Sequence, residues 1–316
     1  MAIYSLEPLT SRQWAHIAES CDEPFVESRR ESFFSSVTNY DDVTCLICRD
    51  RDNVQAVLDR CRNLKFLFVV SVGVERLPFG ELKNRQVVVC NVAGVNAEIM
   101  SQYVMAYILA QSARVVENHM NQINHVWKRY QTVADVSGKN ALIFGAGRVG
   151  CLLARKLNAF GIKCIGVKRR PCPVENFDKV VGLPAAVSVI PQADYVVSLL
   201  PVTSLTRGYF NESIFSQMKK SAIFVNISRA AVVNMRDLCH ALEKGGIGRA
   251  IIDVFESEPL MESDAIWDVR NLVITPHSSG RLEDFLDVAI ECFCKNYKSY
   301  SVSGSAPNII DLEAGY

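Results

Sequence analysis

A chain of 316 residues is long for one hydrophobic core and suits two domains. Its hydrophobic share is 49% and its charges balance at 34 against 34, which excludes a disordered chain and the basic excess of a nucleic-acid binder. The opening MAIYSLEPLTSRQW has no basic stretch leading into an apolar one, and no apolar run approaches the ~18 residues of a membrane span, so neither a signal peptide nor a membrane segment is expected.

The eleven cysteines are scattered, a pattern that fits reduced thiols and a cytoplasmic location better than a disulfide framework. Residues 1–96 alternate short apolar strands with helical patterns. VTCLICRD reads as a strand, NVQAVLDRCRN as a helix, and LKFLFVVSV and QVVVCNV as further strands. Buried runs of this kind, separated by helices, predict a parallel sheet. Cys45 and Cys48 make a C-x-x-C within the first of these strands. Residues three apart in a strand point to opposite faces, and no second pair completes a zinc site, so no metal is expected. From residue 97 to about 127 the periodicity predicts one long helix, suited to linking two lobes or to packing against a copy of itself.

The β/α alternation restarts at NALIFGAG and continues through KCIGVK, ADYVVSLLP, SAIFVNIS, IGRAIIDVF and NLVITPH. Six strands with helices between most of them predict a doubly wound sheet. Two of the helices are NESIFSQMKK and RDLCHALEKG, the latter ending at Gly245. The final helix, LEDFLDVAIECFCKNYKSY, is expected to return to the first domain. The expected division is therefore 1–96 plus 286–316 against 97–285.

Gly145, Gly147 and Gly150 form G-x-G-x-x-G between an apolar strand and a helix. That context gives the motif its meaning: a tight turn, close approach of backbone to a pyrophosphate, and a helix N-terminus that offers N–H groups to phosphate. A site for NAD places Asp or Glu at the end of the next strand. Here Lys168, Arg169 and Arg170 stand there instead. Cations at that place attract a 2′-phosphate, which favours NADP(H) over NAD(H).

Arg229, Glu258 and His277 each lie just past the carboxyl end of a predicted strand, where ligands bind in such sheets. As a set they suit reduction of a 2-oxo acid. A histidine can protonate the carbonyl oxygen, a carboxylate can orient the imidazole, and an arginine can hold the substrate carboxylate.

The segments GAGRVG, LLPVTSLTRG, FVNISRAAVVN, IIDVFESEPL and ITPHSSG, in that order and spacing, resemble the D-isomer-specific 2-hydroxyacid dehydrogenase family over almost the whole chain. The resemblance implies two doubly wound parallel α/β domains with a cleft between them. One would be a Rossmann cofactor domain and the other a flavodoxin-like substrate domain. It implies a homodimer, Arg229 as substrate binder, Glu258 as partner of the histidine, and His277 as acid and base. It implies Asp253 at the nicotinamide carboxamide and Leu200 and Pro201 near the nicotinamide ribose. Arg148, Val149, Thr206, Ile227, Ser228 and Ser279 would line the cofactor. SVGVERL resembles the family's substrate loop, with the N–H groups of Val72 and Gly73 on the substrate carboxylate.

The ending NIIDLEAGY and the setting of Arg169 are similar to the NADPH-using glyoxylate/hydroxypyruvate reductase branch. Ala230 stands where relatives often have Gly, Ser101 and Gln102 where many have Ala and Glu, and Val72 where relatives often have Gly or Ala. These departures touch the substrate pocket. Two other readings fit the resemblance. One is oxidation of a larger or phosphorylated hydroxy acid, as in phosphoglycerate dehydrogenases, with Arg49, Arg51 or Arg76 on the substrate. The other is a weakly active nucleotide sensor, like the family's corepressors.

Overall fold

In the computed structural model, which describes residues 2–21, 23–26, 33–37 and 39–315, the apolar runs pair as two parallel sheets. The chain divides into two compact units, Met1–Val95 with Leu282–Tyr316, and Asn96–Arg281.

The first unit runs β1 (Ala2–Ser5), α1 (Ser11–Ser20), β2 (Phe25–Val26), α2 (Phe33–Ser36), β3 (Val43–Cys48), α3 (Val54–Arg60), β4 (Phe66–Val69), α4 (Phe79–Asn84) and β5 (Val88–Asn91). Among the described residues its sheet has five strands in the order β2-β1-β3-β4-β5. The three apolar runs legible in the sequence are β3, β4 and β5. Two short strands, β1 and β2, join at one side.

Side chains alternate across this sheet, as the period of two requires. Leu46 and Cys48 enter one core and Cys45 and Ile47 the other. The C-x-x-C is therefore split between two apolar layers, and burial pushes the Cys45 thiol well above its usual value. Helix α1 starts with a reciprocal capping box. Gln13 N–H donates to the Thr10 hydroxyl, and Thr10 N–H donates to the Gln13 side chain.

The second unit runs α5 (Ala97–Ser112), α6 (Val115–Ile123), β6 (Asn140–Phe144), α7 (Arg148–Ala159), β7 (Lys163–Val167), β8 (Lys179–Val181), α8 (Leu183–Ala186), β9 (Tyr195–Ser198), α9 (Glu212–Phe215), β10 (Ile223–Asn226), α10 (Met235–Glu243), β11 (Arg249–Ile252) and β12 (Leu272–Ile274). Its sheet has seven strands among the described residues, in the order β12-β11-β10-β9-β6-β7-β8. The extra strand is β8, only three residues long, which the six-strand reading missed. In β6, Leu142 and Phe144 face one core while Ala141 and Ile143 face the other, so helices cover both faces. The order of strands reverses between β6 and β9, the place where such sheets bind ligands.

The single long helix expected from residue 97 is two helices. Arg114 takes a left-handed conformation, φ 54, between α5 and α6. Its guanidinium holds the break by donating to the Thr132 carbonyl at 2.7 Å and to Glu117 at 2.6 Å. Side-chain polar interactions that cross a turn leave no trace in hydrophobic periodicity. The stretch NESIFSQMKK is helical only over α9.

Helix α11 (Phe285–Ser303) belongs to the first unit. It packs on the same core as Trp14, Ile17 and Phe66. Beyond it, Ile310 N–H donates to Val89 O, and Asn308 donates to the carbonyls of Asn91 and Ala93, so the chain end is stitched to β5. No helix among the described residues is long and apolar enough to cross a membrane.

Candidate active site

The glycine turn has the geometry its sequence requires. Gly145 sits at φ +114, where L side chains are strained, and a Cβ there would lie 3.0 Å from Leu199. A Cβ on Gly150 would collide with the Gly145 carbonyl oxygen. Gly147 differs: nothing lies within 4 Å of its Cβ position, so the turn opens to one side there. No side chain caps α7. Backbone able to approach a ligand closely, an open cradle and an uncapped helix start together suit a pyrophosphate. Arg148 and Val149 form the first turn of that helix.

The cation run follows β7. Lys168 N–H donates to Val181 O, fixing the start of the run to β8, and its ammonium lies 3.6 Å from the Cys172 sulfur. Arg169 and Arg170 are exposed. Cys151 lies on α7. Its thiol is raised by burial, with Lys168 acting in the opposite sense.

His277 and Glu258 come together. The imidazole Nδ1 lies 2.8 Å from Glu258 Oε2. The other oxygen of Glu258 accepts the Phe255 N–H at 2.8 Å, so the carboxylate is oriented at both ends. Nε2 makes no hydrogen bond among the described residues, and the His277 side chain is 49% exposed. His277 itself has a left-handed backbone, φ 50.

Arg229 is placed by the turn after β10. The fully buried Asn226 donates to the Arg229 carbonyl and accepts from both the N–H and the hydroxyl of Ser228. The Ser228 hydroxyl also meets the Ser198 hydroxyl at 3.1 Å. The guanidinium donates to the Ser228 carbonyl at 2.8 Å. Asn226 stood unremarked in FVNISRA, because nothing local distinguishes a buried turn-forming Asn from an exposed one.

Five of the expected cofactor residues, Leu200, Thr206, Ile227, Asp253 and Ser279, are buried and have partners within the protein. Thr206 is buried, and its hydroxyl bonds Pro201 O at 2.6 Å and Thr203 N at 2.8 Å, closing its own loop. Leu200 and Ile227 turn their side chains into the two cores of the sheet, so only their backbone faces outward. Asp253 is fully buried, and its two oxygens accept from Thr275, Ser278, Ser279 and Tyr103. Ser279, also buried, enters this cluster through its N–H.

Tyr103 was not singled out in the sequence. It comes from α5, 150 residues away from Asp253 in the chain. Tyr107 packs against it, the two rings tilted by 50° with centroids 5.0 Å apart. Burial, with the neighbouring Tyr103 hydroxyl and the Asp253 charge, pushes the Tyr107 phenol up to about 12, so that ring stays neutral.

In the first unit, the loop after β4 is pinned by its carbonyls. Asn91 donates to Val72 O at 2.8 Å and Ser71 donates to Gly73 O at 2.9 Å. The N–H groups of Val72 and Gly73 make no hydrogen bond among the described residues. Of the cations considered for a phosphorylated substrate, Arg49 is held at 2.7 Å by Glu7, whose side chain is only 5% exposed. Arg51 and Arg76 are exposed.

The family model for the NAD-binding domain of D-isomer specific 2-hydroxyacid dehydrogenases matches residues 105–279. The chain is 30% identical to a glyoxylate reductase of Thermofilum pendens over 310 residues, covering 94% of this chain and 90% of that protein. It is 32% identical to the glyoxylate reductase/hydroxypyruvate reductase of Mus musculus over 239 residues, 73% of each. The crystal structure of a D-isomer specific 2-hydroxyacid dehydrogenase family protein from Aeromonas salmonicida superposes with a TM-score of 0.85. That alignment has 27% identity and covers 98% of this chain and 99% of that one. With the glycine turn, the strand order and five ordered segments in agreement, the chain belongs to the D-isomer specific 2-hydroxyacid dehydrogenase family, near its glyoxylate/hydroxypyruvate reductase branch, and is an NAD(P)-dependent dehydrogenase.

Proposed function

We propose that the protein reduces a small 2-oxo acid of the glyoxylate or hydroxypyruvate type to the D-2-hydroxy acid, with NADPH as reductant and His277 as proton donor. The observation that carries this reading is the His277–Glu258 pair at 2.8 Å, with Nε2 open. Bound in the Gly145–Gly150 turn, a reduced nicotinamide dinucleotide supplies the hydride. A carboxylate on Nδ1 fixes the ring and its orientation, so the proton to be given stands on Nε2. The second bond to Glu258, from Phe255 N–H, keeps the carboxylate from swinging away. Arg229 supplies a fixed guanidinium for the substrate carboxylate and carbonyl oxygen. In the first unit, the Val72 and Gly73 amides are proposed to take a carboxylate as well.

The preference for NADPH rests on Lys168, Arg169 and Arg170 in the place where an acidic residue would serve NAD. The glyoxylate reductase names of the relatives support the substrate class. A phosphorylated substrate is less favoured, because Arg49 is already neutralised by Glu7. The free, mostly buried thiols fit a reducing cytoplasm. The homodimer is proposed to form on the apolar face of α6 and the segment after it, where Val116, Ile123, Trp127 and Tyr130 are exposed.

His277→Ala tests the assignment. Turnover of the 2-oxo acid should fall by a factor of about 10² to 10⁴, the usual contribution of a general acid. NADPH affinity, measured by the fluorescence of the bound dinucleotide, should hold. Turnover at the wild-type rate would remove His277 from the chemistry.

A further inference from the structure

His277 occupies a backbone conformation that few non-glycine residues take, φ 50. Such conformations persist only where the surroundings over-determine them. The surroundings here centre on one carboxylate, with Glu258 holding the imidazole itself. Asp253, at the end of β11, receives the Thr275 hydroxyl at 2.5 Å, the Ser278 N–H at 2.9 Å and the Ser279 N–H at 3.0 Å. Those three donors bracket His277 in sequence, two residues before it and one and two after it. A tight turn within the bracket closes the loop further, with His277 N–H donating to Thr275 O at 3.0 Å.

We propose that Asp253, assisted by Tyr103, is the positioning residue for His277, holding the loop in the conformation that brings the imidazole onto Glu258. The carboxylate has an exposure of 0%, so its charge has no water to stabilise it and depends on these donors. The loop and the carboxylate therefore fix each other. Tyr103 completes the arrangement from α5. Its hydroxyl lies 3.5 Å from Asp253 Oδ1 and 3.1 Å from the Ser278 hydroxyl, bridging the carboxylate to the residue next to His277. Tyr107 backs the ring. Removal of the carboxylate frees Thr275, Ser278 and Ser279 together and lets His277 relax toward an ordinary backbone conformation, away from Glu258. The proposal rests on the acid–base reading of His277 and adds a task for Asp253 to the nicotinamide contact that the family resemblance implies.

The test measures kcat, KM for the 2-oxo acid, NADPH affinity and thermal midpoint for Asp253→Asn, Tyr103→Phe and His277→Ala beside the unaltered enzyme. For Asp253→Asn, kcat should drop by about 10²-fold, the cost of displacing a catalytic group by roughly an ångström. NADPH affinity should hold. Tyr103→Phe should lower kcat less, in the same direction, with KM little changed. A purely structural role would lower the midpoint and leave the kcat of the folded enzyme intact, and that result would overturn the proposal. So would a loss of NADPH affinity with kcat kept at saturation, which would return Asp253 to the nicotinamide. Should Asp253→Asn fail to fold, Tyr103→Phe decides, and full kcat in that variant contradicts the proposal. Wild-type turnover by His277→Ala would instead remove the acid–base reading beneath it, so the two failures are told apart.

Discussion

Arg169 follows β7 and Lys168 on an exposed turn, beyond the glycine loop and one strand over from it. Under the proposed NADPH preference, a guanidinium there would meet the 2′-phosphate with charge-assisted hydrogen bonds, each worth about 1.5–3 kcal/mol. Arg169→Asp should therefore weaken NADPH binding by roughly 10- to 100-fold on that scale. NADH, with no 2′-phosphate, should change little, and a comparison of the two dissociation constants by titration reads the difference. Equal losses for both cofactors would remove the phosphate role. The residue scale is also where the sequence was most direct. The sequence marks Arg229, Glu258 and His277 as candidates because each ends an apolar run in a β/α alternation, and the structure brings Glu258 and His277 together. Asp253 was legible as a position, but its bonds within the protein were not. Its partners are a hydroxyl, two backbone N–H groups and a phenol from a distant helix, and none of these is visible before the chain folds.

At the scale of elements, α6 and the segment after it carry a face with no cover. Trp127 is 90% exposed and Tyr130 88%, with Val116, Met120 and Ile123 beside them. Monomeric proteins seldom leave so many large apolar side chains exposed along one segment, so a second copy is the expected cover. Val116→Asp combined with Trp127→Ser should shift the protein from dimer to monomer in sedimentation velocity. A monomeric unaltered protein would contradict this assignment of the patch. The sequence displayed this segment as one continuous helix because the apolar period runs on past Arg114. The break is made by polar bonds from Arg114 to Thr132 and Glu117, which periodicity does not register. β8 escaped notice for a related reason: three residues are too few for a pattern, and it exists because β7 offers it an edge.

The two units are built on the same plan of parallel strands with helices on both faces, and that plan was readable from the spacing of the apolar runs. Strand order was not, since it depends on which buried edges meet, and the reversal between β6 and β9 is what sets the glycine turn at a ligand-binding place. The cofactor turn, the cation run and the His277–Glu258 pair together carry the proposed function, reduction of a 2-oxo acid with a phosphorylated dinucleotide. The most direct test is the rate of NADPH and of NADH oxidation, at matched concentrations, with glyoxylate, hydroxypyruvate, pyruvate and phenylpyruvate. The account predicts turnover of glyoxylate or hydroxypyruvate, with a higher kcat/KM for NADPH than for NADH. Faster turnover with NADH, or with phenylpyruvate alone, would contradict it.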